Sequence, residues 1–219
     1  RMGLKTFRFP VSWSRNLPEG TGEVNPKGLQ FYSDVIDECR KYGIKPLVTM
    51  FHFDMPYALE QRGGWGNPDS VQWFVEYARI LFENYGSRVK YWLTINEQNV
   101  LIFLAEKYHT LVIPQNCQNI TREIYQQNHR MLVAQAKVFA LCHQMCPGAK
   151  IGPAPNISFV YPASCKPEDT IAAENYNAMR NWLYLDAAVY GRYNEIDWTW
   201  LKEKDALPVF ESGDAGAQS

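Results

Sequence analysis

Four apolar segments, each closed by polar residues and followed by a helical pattern, set the limits on what this chain can fold into. They start near Lys5, Pro46, Val89 and Lys150, about 41, 43 and 61 residues apart. Pro46-Leu-Val-Thr-Met-Phe51 is a continuous apolar run, as expected of a strand in a parallel sheet. Val89 to Glu97 combines β-branched and aromatic bulk with a polar end. Leu4 to Phe9 alternates and is stopped by Pro10. Lys150 to Pro155 carries prolines, which suits an irregular or edge strand. Strands that alternate with helices imply parallel βαβ units with right-handed crossovers.

The intervening segments carry helix signals. Asn25-Pro26 reads as an N-cap with proline at the first helical position. Leu29, Tyr32, Val35, Ile36 and Cys39 form an apolar stripe, and Gly43 ends it. Asn67-Pro68 repeats the start signal before Val71, Phe74, Val75, Ala78, Leu81, Phe82 and Tyr85. Gln98 to Asn119 reads as a helical start followed by a long loop. Thr121 opens a long helix closed by Pro147-Gly148, and another helix is expected from about Thr170 to Tyr190.

Polar residues gather at the C-terminal end of each strand: Arg8, His52, Asn96 with Glu97, and Asn156. A doubly wound sheet concentrates its site at one switch point, whereas a barrel draws side chains from the ends of many strands. The expected fold is therefore α/β, a partial (β/α)8 TIM barrel of about four strand–helix units. Eight units at this spacing need about 390 residues, so residues 1–219 make about half a barrel. A half barrel leaves sheet edges unpaired and an inner face uncovered, from which self-association is expected.

Composition narrows the function. Lys and Arg number 22 against 23 Asp and Glu, a net charge of -1, so no basic field draws nucleic acid or an anionic membrane. No apolar run is long enough to cross a bilayer. The five cysteines are irregularly spaced and imply no disulfide framework, which points to a reducing, cytoplasmic setting. Cys142 and Cys146 read as buried apolar residues rather than metal ligands. His129 and His143 lack the i, i+4 spacing of a helical metal pair, so both are read as structural. Gln61-Arg-Gly-Gly-Trp-Gly66 lacks dinucleotide-binding spacing. No metal or cofactor is expected. The segment Glu211–Ser219 lacks large apolar residues and reads as frayed, and the chain reads as cut at both ends.

The strand-end residues each admit two readings. Glu97 is either a helix N-terminal acid or a catalytic carboxylate. Arg8 meets either an anion in a cleft or a structural ion-pair partner. His52 is either a satisfied structural histidine or a contact to a ligand. Asp54 and Glu106 are read as ordinary structural or surface charges.

Phe7-Arg-Phe-Pro-Val-Ser-Trp-Ser-Arg15, Asn25-Pro-Lys-Gly-Leu-Gln-Phe-Tyr32, His52-Phe-Asp-Met-Pro56, Gly63-Gly-Trp65 and Thr94-Ile-Asn-Glu97 together resemble the family-one glycoside hydrolases, the β-glucosidase and 6-phospho-β-glucosidase family. The resemblance runs over essentially the whole chain but covers only the N-terminal half of a family member. It implies a retaining β-glycoside hydrolase that needs no cofactor. Glu97 would be the general acid/base, and Arg8 would orient the nucleophile. Asn96 would bind the sugar 2-hydroxyl, His52 another sugar hydroxyl, and Asn156 would line the leaving-group side. The family's nucleophile lies in an Ile/Val-x-Glu-Asn-Gly motif that does not occur here, and the first barrel strand is also missing. The resemblance thus places the nucleophile outside this chain and implies that residues 1–219 alone are inactive. Phe53, Gln98 and Tyr161-Pro-Ala-Ser-Cys-Lys-Pro-Glu-Asp169 resemble the branch that acts on 6-phospho-β-glucosides. The alternative is a non-catalytic sugar-binding fragment or pseudoenzyme.

Overall fold

The structure is a computed structural model that describes residues 3–211, 213 and 214. A four-stranded parallel sheet runs in the order β1 (Thr6–Pro10), β2 (Lys45–Phe51), β3 (Tyr91–Asn96), β4 (Lys150–Ala154). Strand order follows chain order, so the sheet grows in one direction as a barrel wall does. Register pairs Phe9 with Val48, Val48 with Trp92 and Trp92 with Ile151. Among the described residues β1 pairs only with β2, and β4 only with β3.

The helices follow the strands. Short α1 (Trp13–Asn16) and long α2 (Pro26–Lys41) follow β1. Short α3 (Tyr57–Glu60), a 3-10 turn at Gly64–Gly66 and α4 (Ser70–Tyr85) follow β2. Next, α5 (Gln98–Tyr108) and α6 (Ile120–Met145) separate β3 from β4. Beyond β4, α7 (Pro167–Asn177) runs through a π-helical turn at Ala178–Trp182 into α8 (Leu183–Tyr190), and α9 (Glu195–Glu203) completes the order.

The expected caps hold at α2, where the Asn25 side chain accepts the Lys27 N–H and Pro26 is the first helical residue. They fail at α4. Its N-cap is Asp69, and the Asn67 side chain instead accepts the Asp69 N–H, so Asn67-Pro68 forms a turn one step before the helix. The long fourth-strand helix begins earlier than expected, at Pro167, and carries the π turn. Helices α1, α3 and α9 carry too few apolar periods to be seen in the sequence. Most of the tail expected to fray, namely Ser212 and 215–219, lies outside the described residues.

Helices cover one face of the sheet. Val48 and Met50 are fully buried on that side, and Trp92 packs edge-on against Phe82 of α4. Arg8 and Thr49 share the other, inner face, where Tyr91 keeps 38% of its surface exposed. The C-terminal ends of β1 and β2 are fastened by Tyr77 of α4. Its hydroxyl donates to the carbonyls of Val11 and Met50, at 3.0 and 3.1 Å. Its ring stacks on Trp13 with centroids 4.7 Å apart, and the Trp13 indole N–H donates to Gly20. His129 of α6 is buried and structural, as expected. Its ring nitrogens meet the Tyr193 hydroxyl at 2.9 Å and Asp214 at 3.2 Å.

Close approach of α1 to α2 depends on Gly28. A Cβ there would stand 2.1 Å from the Arg15 carbonyl oxygen, and backbone yields far less readily than a side-chain tip. Gly28→Ala is expected to cost about 3 kcal/mol in urea unfolding, through forced separation of the two helices. An unchanged midpoint would show that α1 gives way freely.

Candidate active site

Parallel strands bring all the predicted site residues to one edge, and local geometry then divides them into two joined pairs and one solitary residue. Arg8 lies on β1 with its guanidinium over the inner face. Its Nε donates to Thr49 Oγ1 at 3.0 Å, and its Nη2 donates to Asn96 Oδ1. No ion pair to Arg8 exists among the described residues. An arginine held by neutral oxygens retains its full charge for a further anion at the strand ends.

Glu97 follows β3 directly. Its backbone is left-handed, with φ 45° and ψ 47°, a conformation that costs a non-glycine residue about 1 kcal/mol. Its N–H donates to Ala154 at 2.8 Å, so the bend is anchored on β4. Glu97 is the N-cap residue of α5, yet its carboxylate makes no capping hydrogen bond. The oxygen Oε1 instead accepts the Asn156 side-chain amide at 2.9 Å. An acid present merely to cap the helix would turn toward the free N–H groups of the first turn. Here it is directed over the sheet edge.

The main chain after β4 is held without a neighbouring strand. Asn99, fully buried, uses both amide atoms on residue 156, accepting its N–H at 3.0 Å and donating to its carbonyl at 2.9 Å. Asn181 does the same for Ser158, at 3.1 and 2.9 Å. Asn177 does the same for Val160, at 3.1 and 2.8 Å. Three asparagine side chains thus imitate the edge of a strand along alternate residues. Ile157, Phe159 and Tyr161 are the exposed residues between. The amide of Asn156 is in turn gripped by Arg180, whose Nη2 donates to Asn156 Oδ1 at 2.8 Å.

His52 stands at the end of β2, exposed, beside Phe53, which is also left-handed at φ 65°. Among the described residues its imidazole makes no hydrogen bond, and its ring meets Phe53 edge-on at 5.0 Å. Asp54 is structural, as expected: its carboxylate accepts the backbone N–H groups of Trp13 at 3.0 Å and His52 at 3.1 Å. Burial pushes its pKa up, and those two hydrogen bonds pull against the rise. Beneath Glu97, a buried row joins Thr94 to Gln135, Gln135 to Gln98, and Gln98 to Asn128. Gln98 therefore bolts the β3–α5 junction to α6.

Asn99, Asn177, Arg180 and Asn181 escaped sequence reasoning. Only the i, i+4 spacing of Asn177 and Asn181, both buried, signals that something other than apolar packing fills that face.

The ends of β3 and β4 thus hold an acid with its amide partner, and the end of β1 holds a cation. The sequence model described as Glycosyl hydrolase family 1 matches residues 1–217, and the chain belongs to that family. Beta-glucosidase A of Thermotoga maritima is 40% identical over 200 residues, covering 90% of this chain and 44% of the relative. Aryl-phospho-beta-D-glucosidase BglC of Bacillus subtilis is 38% identical, covering 97% and 44%. Among solved structures, the beta-glucosidase from Thermotoga maritima in complex with glucoimidazole superposes with a TM-score of 0.85 at 37% identity, covering 99% of this chain and 48% of that one. The chain thus spans a little under half the length of the relatives it matches, and its fold is a partial (β/α)8 barrel.

Proposed function

We propose that the protein to which this chain belongs is a retaining β-glycoside hydrolase with Glu97 as its general acid/base. The observation that carries this reading is the carboxylate of Glu97, turned away from its helix and held by Asn156 at the strand edge of a family 1 chain. In such a reaction Glu97 protonates the departing glycosidic oxygen while a second carboxylate attacks the anomeric carbon. Glu97 then takes a proton from the water that releases the sugar. Among the described residues no other carboxylate shares a hydrogen-bond partner with Glu97, which supports a nucleophile contributed from outside these residues. Arg8, uncompensated by any described acid, is the cation that would keep that nucleophile ionised and oriented. Asn96, shared with Arg8, and the free imidazole of His52 would receive sugar hydroxyls. Asn156 faces the leaving group.

The preferred substrate is a 6-phospho-β-glucoside. Relatives named as acting on phosphorylated glucosides support this, among them 6-phospho-beta-glucosidase AscB of Escherichia coli at 38% identity. A cytoplasmic setting suits such substrates, and the five free cysteines support it. No helix among the described residues is long and apolar enough to cross a membrane.

The test is hydrolysis of chromogenic β-glucosides, with and without a 6-phosphate, by residues 1–219 and by a chain extended to a complete barrel. Turnover only in the extended chain, faster on the phosphorylated substrate, is the expected result. Turnover by residues 1–219 alone would reveal a second carboxylate within them. Binding without turnover in the complete barrel would favour a pseudoenzyme.

A further inference from the structure

We infer that Arg180 is a positioning residue for the acid/base: it fixes the amide of Asn156 so that the amide nitrogen, and not its oxygen, faces Glu97. The inference rests on the reading of Glu97 given above and extends it to a residue well separated in sequence.

Donors and acceptors decide the orientation of the amide. A guanidinium only donates, and an ionised carboxylate only accepts. An asparagine amide set between them has one consistent orientation, with Oδ1 toward Arg180 and Nδ2 toward Glu97. The structure shows this arrangement, at 2.8 and 2.9 Å. Without the guanidinium, the amide loses the partner that decides its orientation. Rotated by half a turn, it presents an oxygen to the Glu97 carboxylate, and the two acceptors repel.

Arg180 is itself held in register with the acid. Its carbonyl accepts the Asn99 side-chain amide at 2.9 Å, and the same nitrogen donates to the Asn156 carbonyl at 2.9 Å. Asn99 stands two residues after Glu97 in α5. Glu97, Asn99, Asn156 and Arg180 therefore close a ring that crosses from β3 through α5 to the end of β4 and the π turn. A π turn adds a residue to one turn of helix and re-aims the side chains after the insertion, and such turns recur at functional sites. This one spans Ala178–Trp182 and contains Arg180.

The arrangement also carries a cost that packing does not explain. Arg180 Nη1 is buried and has no hydrogen-bond partner. An apolar side chain of similar length would fill the space beside Phe103, whose ring lies 5.9 Å from the guanidinium, without an orphaned donor. A half-satisfied guanidinium at this point is explained by what its other nitrogen does to Asn156.

Two measurements test this. In the 219-residue chain, labelled with nitrogen-15, the side-chain amide resonances of Asn156 should move in both Arg180→Met and Glu97→Gln, and Arg180→Lys should restore much of the original position. Resonances unmoved by Arg180→Met would overturn the inference. In the complete barrel, Arg180→Met should lower kcat/KM about 100-fold for an alkyl β-glucoside, whose leaving group needs a proton. It should lower it less than about threefold for a 2,4-dinitrophenyl β-glucoside, whose leaving group needs none. Equal losses on both would mean a structural role only and would overturn the inference. A wild-type barrel that hydrolyses neither substrate, whether supplied with or without a 6-phosphate, would overturn the reading of Glu97 and with it the catalytic purpose given to Arg180. The amide resonances would still report whether Arg180 sets the orientation of Asn156.

Discussion

Glu97→Gln in a complete barrel is expected to lower kcat/KM for alkyl β-glucosides about 1,000-fold, within the range that general acid catalysis supplies. The substitution is isosteric. The Gln carbonyl oxygen still accepts the Asn156 amide, so the hydrogen bond that holds the side chain survives. What disappears is the transferable proton. The loss should therefore track the leaving group: large for alkyl glucosides, and small for 2,4-dinitrophenyl glucoside in the first chemical step. Unfolding midpoints of the variant and the parent should agree within the error of the measurement. A Gln variant that hydrolyses alkyl glucosides at the parental rate would remove Glu97 from the chemistry.

The second large effect lies away from the site. Asp197 of α9 is fully buried, and neither of its carboxylate oxygens has a hydrogen-bond partner. Burial, with a smaller contribution from Asp186, pushes its pKa from 3.8 up to about 7. Between about pH 4 and 7 the folded state therefore holds a proton that the unfolded chain has released. Stability from this group is fully present below pH 4, falls as pH rises through that window, and levels off above 7. The span corresponds to about 4 kcal/mol at most. Asp197→Asn, which carries no charge at any pH, should be close to neutral at pH 4 and stabilise by about 2–4 kcal/mol at pH 8. Urea unfolding at the two pH values measures the difference. An equal effect at both would mean that the buried carboxyl is not neutral in the folded state.

The sheet, its parallel order and the edge that carries the polar residues were legible because they rest on simple periodicities. Apolar runs such as Pro46–Phe51 and the stripes of α2 and α4 are dictated by burial, and burial leaves its mark residue by residue. Caps were legible only where one residue did one job. Asn25 behaves as its type predicts, while Asn67, with the same Asn-Pro signature, closes a turn because Asp69 sits nearer the helix. The partners of the site were least legible. Asn156 and Glu97 are 59 positions apart and are brought within 2.9 Å by strand pairing, not by local sequence. Asn99 and Arg180 act through atoms that make no pattern in hydrophobicity, so no period betrays them. Of the two partners weighed for Arg8, no ion-pair acid stands beside it among the described residues; two neutral oxygens, from Thr49 and Asn96, hold the guanidinium, which leaves the anion reading open.

The asparagine-braced segment after β4 separates two properties that a loop usually couples. Residues 156, 158 and 160 have their main-chain groups satisfied by side chains from α5, α7 and the π turn. The path of the segment is therefore written in Asn99, Asn177 and Asn181 rather than in its own side chains. Ile157, Phe159 and Tyr161, on the alternate positions, are 46, 60 and 79% exposed, with Phe159 resting edge-on against Trp182. The segment works as a fixed rail with exchangeable fittings: its outward residues can change while Asn156 stays in place beside Glu97.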